Sequence, residues 1–207
     1  MPVLYRVHEK PSPDDLLALY ETLKEIGLGK GELAAFHQAV RTRKSLSPAL
    51  QRISGLYADT PLHSFVNQHI LRALKRAKYW FEDLGHFGLG SECYTHFTSP
   101  IRRYPDLIIH RILKQVFSGR AAKEGERDRL LNYVALASPE VSEKEKKTDD
   151  AMFEAIRLKT AAYMQRHIGS EFTGVVTSIL PYGMFVEIFD PPFDGLVSLS
   201  DMKGVRI

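Results

Sequence analysis

At 207 residues, 44% of them hydrophobic, the chain is long enough to bury one core and part of another, and a net charge of +3 is too small to make the whole molecule a polycation. A single cysteine, Cys93, excludes an internal disulfide framework, reads as a free buried thiol in a reducing compartment, and leaves no ligand spacing for structural zinc. No apolar run approaches the roughly 18 residues of a membrane span, and the N-terminus lacks the basic-then-apolar layout of a secretory signal, so the sequence predicts a soluble cytoplasmic protein with no membrane partner.

An extended piece over residues 3–8 leads into Ser12-Pro13-Asp14-Asp15, a serine cap with proline at the first helical position and an acid three residues on. The helix this predicts carries Leu16, Leu19, Tyr20, Leu23 and Ile26 on its apolar face. Gly27, Gly29 and Gly31 predict its end and a loop, after which Leu33, Phe36 and Val40 mark a short second helix before the basic Arg41-Thr42-Arg43-Lys44. A third helix over 47–57 carries Leu50, Ile53 and Tyr57. A fourth, from 64 to about 81, turns Phe65, Ile70, Leu74 and Ala77 inward. Its other side presents Arg72, Lys75, Arg76 and Lys78, either to a polyanion or only to water. Residues 85–90 contain three glycines without the dinucleotide-binding spacing and read as a tight loop.

The next run is the densest in chemistry: Tyr94-Thr95-His96-Phe97-Thr98-Ser99-Pro100-Ile101-Arg102-Arg103-Tyr104-Pro105-Asp106. Pro105 suits the start of a helix and Asp106 the positive end of its macrodipole, while Ile108, Ile109, Ile112, Leu113, Val116 and Phe117 form its apolar stripe. Arg102 and Arg103 therefore stand just ahead of an anchored helix N-terminus, where amides, guanidinium forks and the Thr98 and Ser99 hydroxyls together suit a phosphate, with aromatic rings nearby for stacking bases. The plain alternative is surface ion pairing by the arginines and core or rim aromatics. Between residues 64 and 120 there are nine Lys or Arg against four Asp or Glu, so the basic charge concentrates around this run.

A charged linker over 118–129 precedes Leu130, Leu131, Val134 and Leu136, and Pro139 predicts a break. A long helix is expected from about 140 to 167, with Glu143-Lys144-Glu145-Lys146-Lys147 exposed and Ile156, Tyr163 and Met164 further along. From Gly169 the pattern shifts to period two, predicting strands over 171–177, 184–189 and 195–199. Residues 169–207 hold five acids against two basic residues.

The run from Tyr94 through His96–Tyr104 to Asp106, Leu107, His110 and Arg111 resembles the signature of the ribonuclease II and ribonuclease R family. Residues 4–11 resemble the segment upstream of that signature. Residues 169–202, with Tyr182-Gly183-Met184-Phe185-Val186 and Asp194-Gly195-Leu196-Val197, resemble the first strands of an S1-type RNA-binding domain, although Ser198 stands where many such domains carry histidine.

The resemblance implies an α+β chain: residues 1–168 as the mostly helical C-terminal part of an RNB nuclease domain, and residues 169–207 as a partial oligonucleotide-binding β-barrel. It also implies 3′-to-5′ hydrolysis of single-stranded RNA to nucleoside 5′-monophosphates with Mg²⁺ held by an aspartate cluster. Arg102 would be the catalytic arginine, and Tyr94, His96, Thr98, Ser99, Arg103 and Tyr104, with the stacking aromatics Tyr182 and Phe185, would bind RNA. The family's aspartate cluster lies upstream of the segment resembled, and neither the helix cap Asp14-Asp15 nor Asp149-Asp150 replaces it, so no metal ligand is assigned. The expectation is a monomeric portion of an exoribonuclease, inactive alone; the alternative is a non-catalytic RNA-binding module.

Overall fold

Two apolar clusters organise the helical part of the chain. The structure, a computed structural model, describes residues 2–42, 45–189 and 192–202. Arg43 and Lys44 of the predicted basic run lie outside the described residues. The first cluster is enclosed by α1 (Pro13–Glu25), α2 (Lys30–Thr42), α3 (Leu46–Leu56) and α4 (His63–Ala73), whose stripes bury Leu16, Leu19, Leu23, Phe36, Ile53 and Val66. The predicted cap is formed: Ser12 accepts the Asp15 amide at 3.2 Å. Gly31 is not in the loop but in the first turn of α2.

The fourth helix is shorter than its periodicity predicts. It ends at Ala73, and Lys78–Trp80 forms β2, which pairs antiparallel with β1 (Tyr5–Val7). The strand wins because it satisfies the β1 backbone and turns Tyr79, 1% exposed, into the second cluster. Ala77 is accordingly not part of a helix face. Two basic residues of this segment are drawn into ion pairs, Arg76 with Asp149 and Lys78 with Glu9 at 2.6 Å.

That second cluster joins Leu4 and Tyr79 to Ile108, Ile109 and Ile112 of α5 (Tyr104–Phe117) and to Leu130, Val134 and Val141 of α6 (Glu126–Met164). Phe117, predicted on the buried stripe, lies beyond the last buried turn and is 83% exposed. The predicted break at Pro139 does not occur, since α6 runs unbroken for 39 residues. Proline cannot donate to the carbonyl four residues back, and the buried Ser138 hydroxyl does so instead, reaching the Ala135 oxygen at 3.1 Å. One turn on, Ser142 Oγ accepts the Tyr79 amide at 2.9 Å and lies 3.1 Å from the Tyr79 carbonyl, fastening α6 to β2. Ser142→Ala strands that amide and is expected to cost about 1–3 kcal/mol, read as a lower urea midpoint at unchanged m-value.

The β region is a three-stranded antiparallel meander, β3 (Gly174–Leu180), β4 (Gly183–Phe189) and β5 (Pro192–Ser198), with an irregularity between Val176 and Ser178. It meets the helical part through Glu187, which accepts from Ser64 Oγ at 2.5 Å. The architecture is α+β, as expected. Among the described residues no helix is long and apolar enough to cross a membrane.

Candidate nucleic-acid interface

The signature run is laid along β1: Arg6 donates its amide to the Tyr94 carbonyl at 2.9 Å, and Thr95 Oγ1 donates to the Leu4 carbonyl at 2.6 Å. Cys93, just ahead of the first of these anchors, is exposed rather than buried. Beneath the run lies a chain of rings in edge-to-face contact, His8 to His86 to Tyr94 to His96 to Tyr79, with centroids 5.2, 5.3, 5.6 and 5.6 Å apart. The tight glycine loop feeds this chain. Gly88 donates to His8 Nδ1 at 3.0 Å, and a Cβ on it would lie 2.7 Å from that nitrogen, so only glycine fits.

Asp106 holds the other end. Its side chain is fully buried in the first turn of α5, where one carboxylate oxygen accepts from the Ser99 amide at 2.7 Å and from Arg103 Nη2 at 2.9 Å. The Ser99 carbonyl in turn accepts the Arg102 and Arg103 amides at 3.2 and 3.0 Å. This closed turn separates two arginines that look alike in sequence. Arg103 points inward, its side chain 24% exposed, whereas Arg102 points out, its guanidinium 3.4 Å from the Ser99 hydroxyl. Both arginines border the cleft, but the fork of Arg103 is tied to the Asp106 carboxylate.

Arg102 stands at a cleft of about 500 Å³ lined also by Tyr79, Arg103, Tyr104, Lys144, Glu145 and Thr148. Arg6 secures its floor, pairing with Glu145 at 2.5 Å and lying 4.7 Å above the Tyr79 ring centroid. Tyr104 is half-exposed and its hydroxyl is 3.4 Å from that of Tyr133. Thr98 is exposed on the loop. Tyr182, at the β3–β4 turn, and Phe185, on β4 opposite Leu196, are not brought into the cleft; they sit on the sheet. Tyr79 and the α6 residues Lys144 and Glu145 are among the cleft residues that sequence reasoning missed, and the local signal for the last two was the acid-base run at 143–147.

Burial, the adjacent Arg103 and Arg6 push the His96 pKa down to about 4, and burial followed by Glu145 pushes its 2.7 Å partner Tyr79 up to about 12. His96 is thus neutral at pH 7 and acts as a hydrogen-bonding strut. An unfolded chain protonates His96 near 6.5 but the folded chain only near 4. Stability held above pH 6.5 is therefore lost as the pH falls toward 4, by about 1 kcal/mol once solvent screening of this half-buried ring is allowed for. His96→Asn should flatten that part of the stability-pH curve, measured by urea unfolding; an unaltered slope would contradict the assignment.

Among the described residues no three His, Cys, Asp or Glu side chains gather into a metal-binding group. Asp106 is committed to Arg103 and Ser99, Asp15 to the α1 cap, and Asp149 to Arg76. The described side chains do not fit a magnesium site.

The family profile described as RNB domain matches residues 1–119, which takes in β1, the first four helices, the arginine loop and α5. The chain belongs to the RNB family. A profile described as S1 RNA binding domain matches residues 166–206 of this RNB chain. Curated relatives are named ribonuclease R: the RNB chain is 36% identical over 203 residues to that of Thermotoga maritima and 37% identical over 201 residues to that of Aquifex aeolicus. These matches cover 98% and 97% of this chain but 27% of each relative, so the chain spans about a quarter of their length. Among solved structures, Mycoplasma genitalium RNase R in complex with ribose methylated single-stranded RNA superposes with a TM-score of 0.84 at 32% identity, covering 98% of this chain and 31% of that one.

Proposed function

We propose that the chain holds single-stranded RNA for 3′-to-5′ exoribonucleolytic hydrolysis, with Arg102 gripping the phosphate near the scissile bond. The observation that carries this reading is the outward Arg102 on a loop whose neighbour is clamped to a buried carboxylate: a guanidinium presented to the cleft on a backbone fixed at Ser99. A phosphate held there meets a preorganised cation, which acts most strongly on charge that grows during phosphodiester cleavage. Tyr104 offers a half-exposed ring beside it, and Tyr182 and Phe185 a second stacking place on the sheet. Tyr94 and His96 serve as the rings beneath the loop, while Thr98 and Ser99 line its outer edge and Arg103 fixes its shape. The Mycoplasma genitalium enzyme's complex with single-stranded RNA and the ribonuclease R names of the relatives support the substrate class. Mg²⁺ belongs to the family's chemistry, but the residues described here supply no ligand set for it, and their part is confined to binding and orienting RNA.

The test is to incubate the chain with Mg²⁺ and single-stranded RNA labelled at the 3′ or the 5′ end. Binding without release of mononucleotides is expected, with log K falling linearly against log salt as phosphate contacts release counterions. Mononucleotide release by the chain alone would overturn the assignment of a holding role. A salt-independent affinity would remove the basic cleft as the binding surface.

A further inference from the structure

We propose that the solvent face of α5 is a second RNA track, leading single-stranded RNA away from the arginine cleft. This rests on the RNA reading above but concerns a different surface. α5 begins at Tyr104, which lines the cleft, and its outer face continues through Arg111, whose guanidinium lies 5.9 Å from the Tyr104 ring centroid, to Lys114 and Phe117. These residues fall one to two turns apart on the side opposite Ile108, Ile109 and Ile112, which are buried.

Charge names the occupant. After Asp106 in its first turn, α5 carries Arg111 and Lys114 and no further acid, and Arg120 and Lys123 follow the helix, whereas the neighbouring Arg103, Arg129 and Lys144 are each matched by a carboxylate, on Asp106, Glu126 and Glu140. A face of cations without acids attracts a polyanion. The aromatic component separates a nucleic acid from an acidic protein. Phe117 is 83% exposed, and Phe97, 43% exposed, lies flat on His110 with centroids 4.4 Å apart and planes 8° from parallel. His110 is held in that position by donating its Nε2 proton to the Phe97 carbonyl at 2.9 Å. Cations beside exposed rings, on this helix and on the loop ahead of it, are the elements of sequence-tolerant single-strand binding, in which phosphates meet the charges and bases stack on the rings.

The test measures fluorescence anisotropy of the whole chain with labelled single-stranded RNA of about four and about sixteen nucleotides, the range of single-strand site sizes. The short strand fills the cleft; only the long one reaches the α5 face. Arg111→Ala/Lys114→Ala should weaken the long strand, reduce the magnitude of its salt slope by about 1.4, and leave the short strand unchanged. Phe117→Ala, at a side chain that supports no core, should weaken the long strand about fivefold without altering its salt slope. Long-strand binding and slope equal to the parent in both variants would overturn the track. Equal losses on both strands would assign the cations to the cleft, which also overturns a separate track. If the parent binds neither strand, the RNA reading itself fails and the track falls with it.

Discussion

Asp106→Ala should lower the unfolding free energy by about 3–5 kcal/mol, the loss expected when one partner of a buried ion pair is removed and the other stays behind uncompensated. The carboxylate is fully buried and carries two bonds at once, to the Ser99 amide and to Arg103 Nη2. Alanine leaves both donors without their acceptor, and among the described residues Arg103 Nε already lacks a partner. The conservative Asp106→Asn keeps an acceptor oxygen for the Ser99 amide while removing the charge, so it should cost less than alanine. Urea unfolding of the three proteins checks the order. A loss below about 1 kcal/mol for alanine would mean that solvent reaches Arg103 once the acid is gone, and that Asp106 does not govern the loop.

The elements set by adjacent residues were legible before any coordinates. Ser12, Pro13 and Asp15 make the α1 cap from chain neighbours alone, and the isoleucines of α5 announce their buried face by spacing. What could not be read depends on partners distant in sequence. Tyr79 has a helix-compatible neighbourhood until Lys78–Trp80 pairs with β1 and Ser142 of α6 takes up the Tyr79 amide and carbonyl. Pro139 signals a break unless the Ser138 hydroxyl takes over the orphaned carbonyl, and a hydroxyl's target is not written in its position. Glu145, part of a run that reads as solvated charge, is selected by Arg6 from the other end of the domain.

The site shows the same division. Composition around residues 94–106 marked the candidate interface, because aromatic rings, hydroxyls and paired arginines in one loop suit a polyanion. It could not distinguish Arg102 from Arg103. Asp106 reads in sequence as a residue favourable to the helix macrodipole; in three dimensions it faces back across the turn and claims one arginine. The inward arginine sets the shape that makes the outward one useful.

That separation of roles predicts different consequences for two adjacent substitutions. In a chimera in which residues 1–207 replace the matching segment of Thermotoga maritima ribonuclease R, Arg102→Ala should reduce kcat by about 10²–10³, the loss typical for one preorganised donor to a developing oxyanion. Its melting temperature should stay at the parent value, since Arg102 is exposed and its hydrogen bond to the Ser99 hydroxyl is long, at 3.4 Å. RNA affinity should fall less than turnover, because the remaining contacts bind the ground state equally well. Arg103→Ala should instead lower stability as well as turnover, leaving the Asp106 carboxylate buried without its counter-ion. Lysine at each position sharpens the contrast: at 103 it restores a charge for Asp106, while at 102 it restores a charge without the planar fork. Unchanged turnover in Arg102→Ala, or equal destabilisation by both alanines, would show that the loop does not divide clamp from catalyst in this way.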